Sequence, residues 1–145
     1  MTYAEPRTVY NYKHCGNRWV KVRSFGVDWG GWITLSVKNN QIKCCSTREN
    51  KIVVYAPNGE LLQAYGTRGS GDASLLNFPY VSAGDASVNL LIADRNNDRL
   101  QVMSEQGEFS VLQLQPPVSR PTSAVIFKNQ LYVTSETNKA LVRFV

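Results

Sequence analysis

Histidine is almost missing from this chain of 145 residues: His14 is the single example. Metal sites built on imidazoles are therefore closed to it. The three cysteines do not substitute, because no C-x-x-C spacing occurs. Cys44 and Cys45 are adjacent, a separation that rarely closes a disulfide, and Cys15 stands alone. That usage agrees with a reducing compartment. There is no N-x-S/T sequon, and no apolar run nears the ~18 residues that a membrane-spanning helix requires. The opening residues, MTYAEPRTVYNYKH, lack the apolar segment of a secretory signal. A cytoplasmic protein is the expectation, with no membrane segment, metal or cofactor.

Amphipathic helical periods are missing too. What is present is a succession of short runs rich in β-branched and aromatic residues, punctuated by Gly, Asn, Asp and Pro. With 43% hydrophobic and 19% charged residues the composition is that of one globular domain rather than a disordered chain. The net charge of +5 permits an acidic partner or nucleic acid, although no dense Lys/Arg run forms a basic arm. In RWVKVRSFG, strand alternation places Trp19, Lys21, Arg23 and Phe25 on one side and Val20, Val22 and Ser24 on the other. Asn58-Gly59 between two apolar runs is a strong hairpin signal.

The stretch LLIADRNNDRLQVMSEQG, residues 90–107, reads as two antiparallel strands around a polar turn, closed by a Gly turn. Its pattern recurs. Ile52 and Gly59 precede Leu100 and Gly107 by 48 residues, and Ile92, Asn97 and Leu100 precede Val133, Asn138 and Leu141 by 41. Phe25-Gly26 precedes Tyr65-Gly66 by 40. Self-similarity at roughly 40 to 50 residues, with four short strands per period, is the signature of β-propeller blades. An all-β fold follows: a partial propeller of four-stranded antiparallel blades, about three blades' worth. Residues 1–26 are assigned to the outer strands of an incomplete blade and 27–66 to a complete one. Residues 67–114 hold a connecting loop and the best-preserved blade, and 115–145 an incomplete final blade, all in one propeller domain. A closed ring needs at least about four blades, so further blades or a second copy are expected to complete it.

Asn77-Phe78-Pro79, Leu91-Ile92-Ala93-Asp94, Asn97-Asp98-Arg99-Leu100-Gln101-Val102 and Gly107 resemble the NHL repeat. Asp98 stands where that repeat usually has histidine. The wording GTRGSGDASLLNFP followed by RLQVMSEQGEFSVLQLQPPVS is similar to NHL domains of invertebrate tripartite-motif (TRIM) proteins, from about Val20 onward. The resemblance implies an NHL-type propeller that recruits a protein partner or ubiquitination substrate. A longer parent would then be a RING-type ubiquitin ligase. No RING, B-box or coiled-coil pattern is present in this sequence, so ligase chemistry is carried onto none of its residues. Some relatives grip single-stranded RNA, which the resemblance offers as the alternative. One NHL-like propeller, peptidylamidoglycolate lyase, is a zinc enzyme, but its histidines have no counterpart here.

The remaining motifs favour bland readings. GTRGSGD, residues 66–72, lacks the Walker spacing and a following helix, and reads as a turn between blades. Asp94, Asn96, Asp98 and Glu105 imitate a calcium loop, but Arg99 replaces its required Gly. Asp94 and Asn97 are read instead as caps on the backbone amides of their turn. Cys44 and Cys45 should face opposite sides of a strand as buried apolar groups. Trp19, Trp29, Trp32 and the tyrosines are read mainly as packing between blades.

With strands labelled a to d outward from the axis, the d–a and b–c loops share one rim. That rim carries Arg48, Lys51, Arg68, Arg95, Arg99, Arg120 and Lys139 against Glu49, Asp72, Asp94, Asp98 and Glu136. The opposite rim carries Lys38 and Lys128 against Glu60, Asp85, Glu105 and Glu108. The first is the more basic and is the candidate partner- or RNA-binding rim. No catalytic residue is assigned.

Overall fold

A computed structural model describes residues 7–27, 29–84, 90–136 and 140–144, the last group by its backbone alone. Every sheet but one grows from antiparallel hairpins. β1 (Arg7–Cys15) and β2 (Arg18–Val27) form a two-stranded ribbon. β3 (Ile33–Lys38), β4 (Gln41–Ser46), β5 (Lys51–Tyr55) and β6 (Leu61–Tyr65) pair in sequence order as a four-stranded blade. β7 (Thr67–Arg68) and β8 (Leu75–Leu76) make a short parallel pair within the connecting loop. β9 (Pro79–Ala83), β10 (Leu90–Asp94), β11 (Arg99–Met103) and β12 (Phe109–Val111) form the second four-stranded blade. β13 (Pro121–Phe127), β14 (Gln130–Ser135) and β15 (Ala140–Phe144) give three strands of a third. Among the described residues the sole helical element is a 3₁₀ turn, Arg95–Asn97, and no helix is long and apolar enough to cross a membrane.

The turns follow from residue type. Asn39-Asn40 and Lys128-Asn129 have positive φ at both positions, the mark of the two-residue hairpins that match strand twist. Asn58-Gly59 does close a hairpin, but in a different way. Pro57-Asn58 form the turn and Gly59, at φ 88°, donates its amide to the Ala56 carbonyl. Glu105-Gln106-Gly107 repeats this: Gly107, at φ 86°, donates to the Ser104 carbonyl. A Cβ on Gly107 would lie 2.2 Å from Cε1 of Tyr65, so close packing as well as φ reserves the position for glycine.

Alternation along each strand then builds layers. Cys44 packs with Val9, Val27, Ile42, Val53 and Tyr55 against the ribbon, while Cys45 packs with Ile52, Leu76, Leu90, Ile92 and Met103 against the second blade. Leu91, Ala93 and Leu100 face the other way, onto Val118, Ala124 and Val133 of the third. Each fully buried aliphatic side chain contributes about 1.5–3 kcal/mol. Hydroxyls link the innermost strands: Thr34 Oγ1 accepts from the Val81 amide (2.9 Å), and Ser82 Oγ donates to the Ala124 carbonyl (2.6 Å). β3, β9 and β13 thus lie side by side around one axis.

The ribbon departs from simple alternation. Asn11 pairs with Arg23 and Tyr12 with Lys21, so Val22 is left over as a bulge. That extra residue shifts the phase. Phe25 and Arg23 share the face of Val9 and Asn11, whereas Lys21 and Trp19 share the face of Tyr12 and His14. The expected common side for Trp19, Lys21, Arg23 and Phe25 is therefore divided in two.

Candidate functional site

Among the described residues, two kinds of position hold the loops that lead into the inner strands. The first is the last residue of the b strand: Ser46, Asp94 or Ser135. Ser46 Oγ donates to the Gly30 carbonyl (2.7 Å), Ser135 Oγ donates to the Ser119 carbonyl, and Asp94 Oδ1 instead accepts the Asn77 amide (2.7 Å). The second is the left-handed residue ending the b–c turn, Asn50 at φ 55° or Asp98 at φ 52°. Asn50 Oδ1 accepts the amide of Phe78 (2.7 Å) and Asp98 Oδ1 that of Arg120 (2.8 Å). Phe78 and Arg120 also have positive φ, and each precedes the proline that opens the next inner strand. The b–c turn of one blade thereby aims the inner strand of the next.

Asp94 is fully buried. Besides Asn77, its carboxylate accepts from Asn97 Nδ2 (2.8 Å), Arg99 Nε (2.9 Å) and Gln101 Nε2 (3.0 Å). It makes no side-chain cap to the amides of its own turn, which corrects the expected role. Both oxygens are engaged elsewhere: the loop before β9 delivers the Asn77 amide to Oδ1, and three side chains of the same hairpin converge on Oδ2.

The Gly-rich loop completes this cluster from above. Asn97 Nδ2 donates to the Gly69 carbonyl (2.8 Å), and Arg99 donates to the carbonyls of Gly71 (2.7 Å), Asp72 (2.9 Å) and Leu75 (2.7 Å). The loop turns carbonyls, not amides, toward its centre, the reverse of a phosphate cradle. The calcium-like quartet is equally dispersed: Asp94 is buried under Arg99, Asp98 bonds Ser119 and Arg120, and Glu105 bonds Asn39 Nδ2 (2.9 Å) on the other rim.

The predicted rim residues divide by what they touch. Arg99 is held by Asp94 and the loop carbonyls. Arg95 pairs with Glu136 and lies over the Phe78 ring at 4.9 Å. Arg120 is half-exposed and stands 3.7 Å from the same Glu136 carboxylate. Arg48 lays its stem across Gly30 and Gly31, while Lys51 and Arg68 are exposed. Lys139 lies outside the described residues. The structure thus brings together Arg95 and Arg120, with Asn96, Asp98 and Ser119, around an open groove of about 400 Å³. Two arginines face two carboxylates there, so the groove is polar without being basic. A larger hollow of about 600 Å³ lies beside the ribbon, between Arg7, Val9 and Trp32, Leu35.

Reactive groups are scarce. Burial pushes the Cys44 thiol up to about 11, and it raises Cys45 further, aided by the charges of Asp94 and Cys44. Cys45 Sγ donates to the Pro79 carbonyl (3.6 Å). Neither is a thiolate nucleophile near neutral pH. Among the described residues no three His, Cys, Asp or Glu side chains converge as a metal site. The aromatic expectation needs correcting: Trp29 packs near Tyr55, but Trp19 and Trp32 are 67% and 73% exposed. Trp19 stands on the part of the ribbon beyond its anchored base, and Trp32 just before β3. Sequence reasoning assigned no role to Asn50, Ser46 or Ser135, which recur at the blade period.

Antiparallel blades arranged through adjacent inner strands define a β-propeller, of which this chain supplies an arc. No protein-family model matches the chain, and neither does any curated protein compared with it. Among solved structures it is similar to a catalytically inactive virginiamycin B lyase from Staphylococcus aureus with quinupristin: 14% identity, TM-score 0.63, covering 96% of this chain and 57% of that one. It is also similar to a streptogramin B lyase (15%, TM-score 0.57, 84% of this chain and 43% of that one). An auxiliary nutrient binding protein from Bacteroides thetaiotaomicron is a third (12%, TM-score 0.66, 95% and 42%). The chain spans about half the length of these propellers, and at such identities the likeness is one of fold alone.

Proposed function

We propose that this chain is the partner-recognising part of a β-propeller and performs no catalysis. By its resemblance to NHL repeats it would serve a TRIM-type ubiquitin ligase, docking a protein substrate. The observation that carries the reading is the groove at Arg95, Asn96, Asp98, Ser119 and Arg120. Its donors and acceptors of both signs suit the backbone and side chains of a protein loop. The carboxylates among them, and the engagement of Arg95 and Arg99 within the chain, weigh against a polyanion on this rim. The non-catalytic part is supported by the burial of the Cys44 and Cys45 thiols and by His14, whose ring lies 4.9 Å from that of Trp19 on the exposed ribbon. A photo-crosslinking residue at position 96 should capture a protein that Arg120→Glu releases, while one at position 128 on the opposite rim captures none. The reverse pattern removes the groove. Ubiquitin transfer by this chain alone, or turnover of quinupristin, would overturn the non-catalytic part.

A further inference from the structure

The β1–β2 ribbon leaves a strand edge open beside an uncovered blade face. Among the described strands β1 is hydrogen-bonded to β2 alone, so its second edge carries no strand. Val9, Tyr10, Asn11 and Tyr12 all line one hollow of about 370 Å³. Successive residues of a strand point to opposite faces, so four in a row meet a hollow through the backbone at their edge. The larger hollow of about 600 Å³ shares Val9 and Leu35 with it and extends the trough to Arg7.

The far wall is β3. Its Leu35 and Val37 are 50% and 59% exposed, on the face that also carries Ile33. The inner strands of the other blades show how that face is normally treated. Val81 of β9 is buried beneath the first blade, and Ala124 of β13 beneath the second. β3 lacks such a layer, because Val9 and Val27 of the ribbon pack on β4 and β5 and reach β3 only at Ile33. A free edge on one side and apolar side chains on the other suit an added strand.

Charge selects the occupant. Residues 7–27 hold Arg7, Lys13, Arg18, Lys21 and Arg23 and no Asp or Glu. The net charge of the chain is +5, so its whole excess lies on this ribbon. Cations along an edge oppose pairing with a like edge, which disfavours a second copy. They attract a strand that carries carboxylates.

We propose that the trough binds an acidic peptide in extended form, added as a third strand beside β1. Its alternate apolar side chains cover Leu35 and Val37. Its carboxylates are drawn to the ribbon cations, of which Lys21 shares the outward face with Tyr10 and Tyr12 and stands 6.0 Å from the Tyr10 ring. The rim groove at Arg95 and Arg120 takes no part.

The probe is a fluorescent heptapeptide of alternating Glu and Val, with Glu at both ends, read by anisotropy against the full chain. It should bind at about 50 mM salt and about tenfold more weakly at about 500 mM. The same peptide with Lys in place of Glu should not bind. Two N-methylated analogues, one modified at the Val amides and one at the Glu amides, test the edge. Amides of alternate residues point to the same side of a strand, so one analogue alone should lose binding. Leu35→Ser with Val37→Ser should weaken the parent peptide about tenfold, and Lys13→Glu with Lys21→Glu at least as much. Arg120→Glu should change nothing. Urea midpoints equal to wild type confirm that each variant is folded. No binding at low salt, equal behaviour of the two analogues, or full binding by the serine variant would overturn the proposal. So would a dimer of the chain in sedimentation that the peptide dissociates. A missing groove partner with intact peptide binding would mean failure of the rim reading alone.

Discussion

Asp94→Ala removes a buried carboxylate that four donors share, and its cost follows from what each donor has left. Arg99 keeps the carbonyls of Gly71, Asp72 and Leu75, and Asn97 keeps that of Gly69. Gln101 retains one long bond to Leu75 at 3.4 Å, and the Asn77 amide is left with nothing that the carboxylate formerly supplied. Charge-assisted bonds are worth about 1.5–3 kcal/mol each, but most of these donors relax onto other acceptors. The expected loss is about 3–5 kcal/mol, the range for breaking one side of a buried charge pair. In urea, with a slope near 2 kcal/mol/M, the midpoint should fall by roughly 1.5–2.5 M. Asp94→Asn keeps an acceptor for Asn77 and loses the charge opposite Arg99, so about half the effect should persist. Hydrogen exchange should show amides of residues 66–77 opening before those of β10 and β11. A loss below about 1 kcal/mol for Asp94→Ala would refute the idea that this carboxylate ties the loop to the blade.

Three further outcomes are expected. Gly107→Ala should cost about 2 kcal/mol or more in thermal unfolding, from its left-handed backbone and the overlap with Tyr65, with Tyr65→Ala relieving part of the overlap. Asp98→Asn should change stability by less than about 0.5 kcal/mol, since Asn50 performs the same bond in the preceding blade, whereas Asp98→Ala should cost about 1–2 kcal/mol. Iodoacetamide at pH 8 should label exposed Cys15 alone in the folded chain and all three cysteines in urea, as mass spectrometry would show. Because burial raises the Cys44 pKa from 9.0 to about 11, its contribution is intact below pH 9 and fades as pH rises toward 11. Cys44→Ala should flatten that alkaline decline.

Blade order was legible because strand alternation and turn residues are local properties. Cys44 and Cys45 had to face opposite layers once they were neighbours in a strand, and they do. The hairpin at Asn58-Gly59 needed nothing beyond its own residues. The rim was harder to read. Arg99 and Asp94 are separated from their loop partners by 17 to 28 residues, and only the assembled blades show that the guanidinium is already occupied. The ribbon faces were misplaced because one bulged residue, Val22, inverts the phase, and no residue type announces a bulge of that kind. Trp19 and Trp32 carried no sign of exposure, since apolar residues on a strand look the same whether or not another layer covers them.

The three sockets at Ser46, Asp94 and Ser135 make loop exchange between blades one-way. A hydroxyl can present either its proton or its lone pairs, so the serine sockets could receive a loop that offers an amide or one that offers a carbonyl. A carboxylate offers lone pairs alone, and a carbonyl brought against Asp94 would be repelled. Loops could therefore be transplanted from the second blade to its neighbours, while the second blade would reject theirs.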